Sequence, residues 1–169
     1  MNKMLKRFVL WFGGIAVSFA GGLYLDRRFE ILLFPLWMKV LAIIFTLFSI
    51  FLLARSGRLL RNMGKPEEWG WTTRLVTSDL YKCLRHPHHL GIGMFVSAFS
   101  IIIGGFFTFI LASLFIWVGI IWFLRRVEEP ELVEKFGEEY LVYRENTPML
   151  IPSPLCLFKT IFKGVGKKN

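Results

Sequence analysis

Arg85, His86, Pro87, His88, His89, Leu90 and Gly91 run together at the mouth of an apolar segment, and a second polar block extends from Arg125 to Pro152. Three histidines so close invite a metal reading, since neutral imidazole is a common ligand. Pro87 disfavours regular helix at the residue before it, so the imidazoles are not expected to converge as a His-x-x-x-His pair would. No Cys or Asp adjoins them, and no metal site is expected. In the second block, Glu128 and Glu129 follow directly on an apolar run. Carboxylates at that depth are unfavourable without partners. Those partners are either Arg125 and Arg126, as a structural ion-pair cluster, or the cation of a bound ligand. Residue types alone leave both open.

The elements that must position these blocks are greasy. The chain has 169 residues, is 54% hydrophobic and carries 18 phenylalanines, with a positive mean hydropathy. Soluble domains use roughly 45–50% apolar residues, so an integral membrane protein follows. The net charge of +9 collects between and after the apolar runs. That is the pattern of cytoplasmic loops beside anionic lipid, not of a nucleic-acid-binding face, and nucleic acid is not an expected partner. Cys83 and Cys156 fall in segments assigned to the cytoplasmic side, where thiols stay reduced, so no disulfide is expected. The basic stretch Met1–Arg7 leads into an apolar run with no clean cleavage site, which is read as a retained first span.

Four spans are predicted, at 8–25, 31–54, 90–103 and 106–124, in a single membrane domain covering 1–169. The first carries Gly14, Ser18 and Gly22, whose four-residue spacing marks a packing face. The second is expected to start its helix at Pro35 and to let Lys39 snorkel to the interface. Residues 55–82 read as a polar, irregular and basic stretch, in which Arg55, Arg58 and Arg61 look like the cytoplasmic end of the second helix and Trp69 and Trp71 suit the head-group region. The run 90–124 is too long for one span and should break at Gly104-Gly105. Pro130 should start a further helix on which Leu132, Phe136, Tyr140 and Tyr143 form one stripe. The tail 153–169 sets Leu155, Phe158, Ile161, Phe162 and Val165 against Lys159, Lys163 and Lys167, as an interfacial helix would. The fold class is therefore all-α and polytopic, with a cytoplasmic, amphipathic C-terminal region.

"LVTSDLYKCLRHPHHLG", a helical hairpin, then "EEPELVEKFGEEYLVYRENTPMLIP" resembles the isoprenylcysteine carboxyl methyltransferase superfamily and its phospholipid methyltransferase-like relatives. These are small integral membrane enzymes that use S-adenosylmethionine. The resemblance is carried by Arg85, His86, Pro87 and Gly91, then by Glu128, Glu129, Leu132, Phe136, Gly137, Tyr140, Tyr143 and Pro152. It implies that His86, His89, Leu90, Gly91 and Glu128 bind the cofactor, while Glu129 and Arg144 face the acceptor. The cofactor's ammonium needs a carboxylate, from Glu128 or Glu129, and its own carboxylate needs donors such as His86 and amides at a helix N-terminus. Tyr140 and Phe136 are candidates for an adenine slot. Arg144 would clamp an acceptor carboxylate, and Glu129 would serve an amine or thiol as base. His89 stands where the family pattern has tyrosine, and Asp79 where many relatives have glycine.

The implied acceptor is an amphiphile met at the bilayer: a prenylated cysteine carboxylate, a phospholipid amine, or a small thiol or other lipid. So short a form implies a prokaryotic inner membrane, and the basic stretch 55–82 predicts that both termini are cytoplasmic. The oligomeric state is left open. Two rival readings remain. One is a membrane sterol reductase, which shares the Arg-His-Pro region but uses NADPH and is much longer. The other is a non-enzymatic membrane protein whose polar blocks only pack or bind lipid.

Overall fold

A computed structural model describes residues 3–64, 66–68 and 71–163, with side chains described except at 3–8, 66–68, 71 and 163. The elements are α1 (Lys3–Arg28), α2 (Leu36–Met63), β1 (Pro66–Glu68), β2 (Trp71–Thr72), a 3-10 turn (Asp79–Lys82), α3 (Pro87–Ile103), α4 (Phe106–Phe123), a π-helical turn (Leu124–Glu128), α5 (Glu129–Phe136), α6 (Glu138–Asn146) and α7 (Pro154–Lys163). The fold is all-α as expected, apart from the small antiparallel hairpin of β1 and β2. Among the described residues, Val9–Arg28, Leu36–Met63 and Phe106–Phe136 are long and apolar enough to cross a membrane, and α3 is a shorter apolar helix.

Several boundaries move from their expected places. The helical break at Gly104-Gly105 is present. The second apolar helix begins at Leu36, where the Pro35 carbonyl accepts from the Met38 and Lys39 amides. It runs on to Met63, so Arg55, Arg58 and Arg61 form the end of this helix, as their spacing suggested. Pro130 lies in the first turn of α5 as expected, but α5 continues the helical run from Phe106 without a break. Proline has no N–H and its ring strikes the carbonyl four residues back, and the widened turn at Leu124–Glu128 takes up that misfit. Gly137, at φ 55°, separates α5 from α6 and breaks the predicted continuous stripe. Trp69, Val165 and Lys167 lie outside the described residues.

The chain forms two compact units, the first being Met1–Ser49 with Ile92–Phe123. In it α1 packs along α4. The small residues predicted to make a packing face do so, because a Cβ on Gly22 would lie 2.4 Å from Thr108 Cα and one on Gly14 would lie 2.0 Å from the Phe115 ring. The facing stripe of α4, Thr108, Ala112, Ile116 and Ile120, is buried. Asp26 caps α4: its carboxylate accepts from the amides of Gly105 at 2.7 Å, Phe107 at 2.9 Å and Thr108 at 3.2 Å, and from the Thr108 hydroxyl at 2.6 Å. The first amides of a helix have no partner of their own, and hydrocarbon offers none. Leu10, Phe12 and Val17 of α1 and Ile44, Phe45 and Leu47 of α2 remain exposed, a surface suited to acyl chains.

The second unit comprises Ile50–Gly91 and Leu124–Asn169. Its core holds Val76, Leu80, Tyr81, Leu84, Tyr140 and Leu150. The segment before α3 pairs with the one after α6: the Arg85 amide donates to the Pro148 carbonyl at 2.9 Å and the His86 amide to that of Met149 at 3.1 Å. Against expectation, Cys83 and Cys156 form a disulfide, with Cα atoms 5.6 Å apart. The expectation was drawn from compartment alone, whereas α7 packs directly on the 3-10 turn. Cys156 and Thr160 (4% exposed) face inward, while Leu155, Phe158 and Phe162 are exposed. Asp79 has φ 56°, a left-handed conformation that glycine adopts freely and aspartate tolerates. It stays because its carboxylate meets Arg55 at 2.9 Å.

Candidate functional site

Both polar blocks contribute to one cluster within the second unit. Pro87 is the first residue of α3, where a missing N–H costs nothing, so His88 and His89 occupy the first turn of that helix. His86 precedes it and accepts the Leu90 amide on its carbonyl at 3.1 Å. The expectation that the histidines would not converge is thereby corrected: the His86 and His89 rings lie 5.9 Å apart, edge to face. An N-cap residue and the third residue of the helix that follows share a face, and Pro87 sets up this arrangement by fixing the helix start.

The carboxylates complete the cluster. His86 Nδ1 lies 3.3 Å from Glu128 Oε1, and His86 Nε2 lies 3.3 Å from Glu129 Oε1. His89 Nε2 lies 3.3 Å from Glu128 Oε2. Arg85 then fastens Glu129, donating from Nε at 2.8 Å and from Nη2 at 2.5 Å to the same oxygen. Its third nitrogen donates to the carbonyls of Arg144, at 2.9 Å, and of Thr147. One guanidinium thus ties the start of α3, the start of α5 and the end of α6 together. His88 points elsewhere, its Nδ1 being 3.3 Å from the Ser56 hydroxyl.

Electrostatics follow from this packing. His86 is 4% exposed, and burial alone would lower its pKa. Hydrogen bonds to Glu128 and Glu129, with their charges, outweigh burial and hold it above the ordinary imidazole value. The phenols of Tyr81, Tyr140 and Tyr143 are all held neutral, in each case mainly by burial. The carboxylate charge of Glu128 adds to the effect at Tyr81, and that of Glu129 at Tyr140. Tyr143 donates to the Tyr81 carbonyl at 2.6 Å. Among the described residues the Tyr140 hydroxyl, in a residue only 1% exposed, has no well-formed hydrogen bond, though the Glu129 carboxylate bears on it.

Of the residues singled out in the sequence, His86, His89, Glu128 and Glu129 meet directly, and Gly91 is buried just beyond them. Leu90 is half-buried. Arg144 reaches the cluster only through its backbone carbonyl, its side chain being exposed. Glu129 is engaged by Arg85 and His86 rather than by Arg125 or Arg126. The residue that sequence reasoning passed over is Arg85, present in the Arg-His-Pro motif but given no role. Its signal was its place next to a histidine at the end of an apolar run, where an arginine needs a carboxylate.

Residues 30–139 match a family model described as phospholipid methyltransferase. The chain is 38% identical over 90 residues to a methanethiol S-methyltransferase of Pseudomonas deceptionensis, a stretch covering 53% of this chain and 31% of that protein. It is 35% identical over 80 residues to the protein-S-isoprenylcysteine O-methyltransferase of Schizosaccharomyces pombe, covering 46% of this chain and 33% of the other. A methanethiol S-methyltransferase of Bradyrhizobium diazoefficiens is 36% identical over 80 residues, covering 47% and 26%. The matches thus span a third or less of these relatives.

Proposed function

The chain belongs to the phospholipid methyltransferase family, and from that premise we propose that it is an S-adenosylmethionine-dependent methyltransferase acting on an amphiphilic acceptor at the cytoplasmic face of a prokaryotic inner membrane. The observation that carries this reading is the convergence of His86 and His89 with Glu128 and Glu129, beside a buried Tyr140 hydroxyl with no well-formed hydrogen bond among the described residues. A zwitterionic ligand fits such a cluster, since it brings one cation and several hydrogen-bonding groups to a place that has a carboxylate and an unsatisfied phenol.

Glu128 holds the ammonium of the cofactor's amino-acid end, while His86 and amides at the start of α3 face its carboxylate. His89, Leu90, Gly91 and Tyr140 complete that subsite. The bound sulfonium supplies an already activated methyl group, so the protein's work is positioning and exclusion of water. Arg85 does the first, by fixing Glu129 against His86, and the burial of His86 serves the second. Glu129 and Arg144 lie on the acceptor side.

A prenylated cysteine carboxylate is the acceptor that the resemblance points to, with a phospholipid amine as the alternative. A small thiol is a second reading, favoured by the names of two relatives. Membranes carrying the protein, incubated with methyl-labelled cofactor, separate the three. Base-labile label in protein marks a methyl ester, stable label in lipid marks an amine, and volatile label marks a thioether. Calorimetry on protein in detergent should show cofactor binding that falls at least tenfold in His86→Ala and Glu128→Ala. NADPH binding without S-adenosylmethionine binding would refute the proposal.

A further inference from the structure

His86, His89 and Glu128 present three ligand-type atoms within 4.8 Å of one another. His86 Nδ1 lies 3.3 Å from Glu128 Oε1, and His89 Nε2 lies 3.3 Å from the other oxygen, Oε2. An N–H···O hydrogen bond prefers about 2.9–3.0 Å. By contrast, bonds of about 2.0–2.1 Å from a tetrahedral ion place its ligands about 3.3–3.4 Å apart. Each imidazole–carboxylate contact has that spacing, one at each Glu128 oxygen. The cluster also has the support that a ligand set needs: the other nitrogen of His86 faces Glu129 Oε1 at 3.3 Å, and Arg85 holds that oxygen. A carboxylate behind a histidine fixes its ring and leaves the opposite nitrogen for the metal.

We propose that His86, His89 and Glu128 bind a divalent transition-metal ion of the zinc class, and that the ion and S-adenosylmethionine exclude one another. Two imidazoles with one carboxylate suit zinc or cobalt and not magnesium or calcium, which take oxygen ligands. Three protein ligands leave a fourth position open. Exclusion follows because one Glu128 carboxylate cannot serve both the ion and the cofactor's ammonium, a clause that rests on the function proposed above. His89 is the deciding ligand: a tyrosine there, as in the family pattern, would not supply the second imidazole.

Full-length protein in detergent, freed of metal by a chelator and with its disulfide intact, is titrated with Zn2+ by calorimetry and with Co2+ by visible absorption. One ion per chain is expected, with the absorption of tetrahedral cobalt. Glu128→Gln and His89→Tyr should each weaken binding at least tenfold, while His88→Gln, whose ring bonds to Ser56, should leave it unchanged. Absence of stoichiometric binding, or binding in both ligand variants as tight as in the unmodified protein, overturns the site. Binding of labelled S-adenosylmethionine is measured separately and should weaken at least tenfold at saturating Zn2+. Cofactor binding without metal binding overturns only the metal site. Metal binding with no cofactor binding to the metal-free protein overturns the proposed function and leaves the site standing. Simultaneous binding of both overturns their exclusion.

Discussion

Arg85 is the residue on which the cluster turns. Its side chain is 10% exposed, that of Glu129 is 12% exposed, and one oxygen of the carboxylate takes two donors from it. A buried charge that loses its partner costs about 3–5 kcal/mol. Arg85→Ala should therefore lower stability by about that amount, and Arg85→Lys by about half, because an ammonium cannot also span the Arg144 and Thr147 carbonyls. Thermal unfolding in detergent reads both, and a melting temperature unchanged in the alanine variant would contradict the clamp. At this scale the sequence was legible by residue type and not by pairing. His86, Glu128 and Glu129 stood out as polar groups beside apolar runs. That Glu129 meets Arg85, 44 residues away, and not the adjacent Arg125 or Arg126, depends on which way each helix turns its face.

Helix phase is set at the π-helical turn. Leu124–Glu128 holds one residue more per turn than a regular helix would, ahead of Pro130. Restoring the missing N–H with Pro130→Ala removes the reason for the wide turn. A helix that closes up by one residue rotates everything after it by about 100°, which would carry Glu129 away from Arg85 and His86. The expected outcome is a lowered melting temperature, because Arg85 loses its carboxylate, together with at least a tenfold loss of S-adenosylmethionine binding. Retention of full binding would show that the turn does not set the carboxylates. Elements of this kind are where sequence reading fell short. Apolar helices announced themselves by length, and the glycine break at Gly104-Gly105 by composition. The widened turn, the helix carried through Pro130 and the break at Gly137 are instead compromises between neighbours, and no single residue states them.

For the molecule as a whole, two groups of buried side chains tie stability to solution conditions. Tyr81, Tyr140 and Tyr143 all have pKa values raised by burial above the ordinary 10.0. A raised value means the folded state keeps its protons while the unfolded chain gives them up. The contribution is complete below pH 10 and is lost as pH climbs from there toward the folded values. Alkaline unfolding should coincide with the rise of tyrosinate absorbance, and Tyr143→Phe should reduce that rise in the folded protein's transition. In a Tyr24→Phe background, which removes the exposed fourth tyrosine, tyrosinate appearing well before unfolding would contradict their burial. The Cys83–Cys156 disulfide gives the second tie. It closes a loop of 73 residues, for which chain entropy alone predicts about 4 kcal/mol. It pins α7 on the 3-10 turn, a few residues ahead of Arg85 and His86. Reductant should lower the melting temperature and make Cys156 reactive to a maleimide, and Cys83→Ser should reproduce the shift without reductant. The same labelling in intact cells bears on orientation. A cytoplasmic second unit, as charge distribution predicts, would expose the pair to a reducing pool and give dithiol, whereas a pair protected until reductant is added would place that unit on the oxidising side.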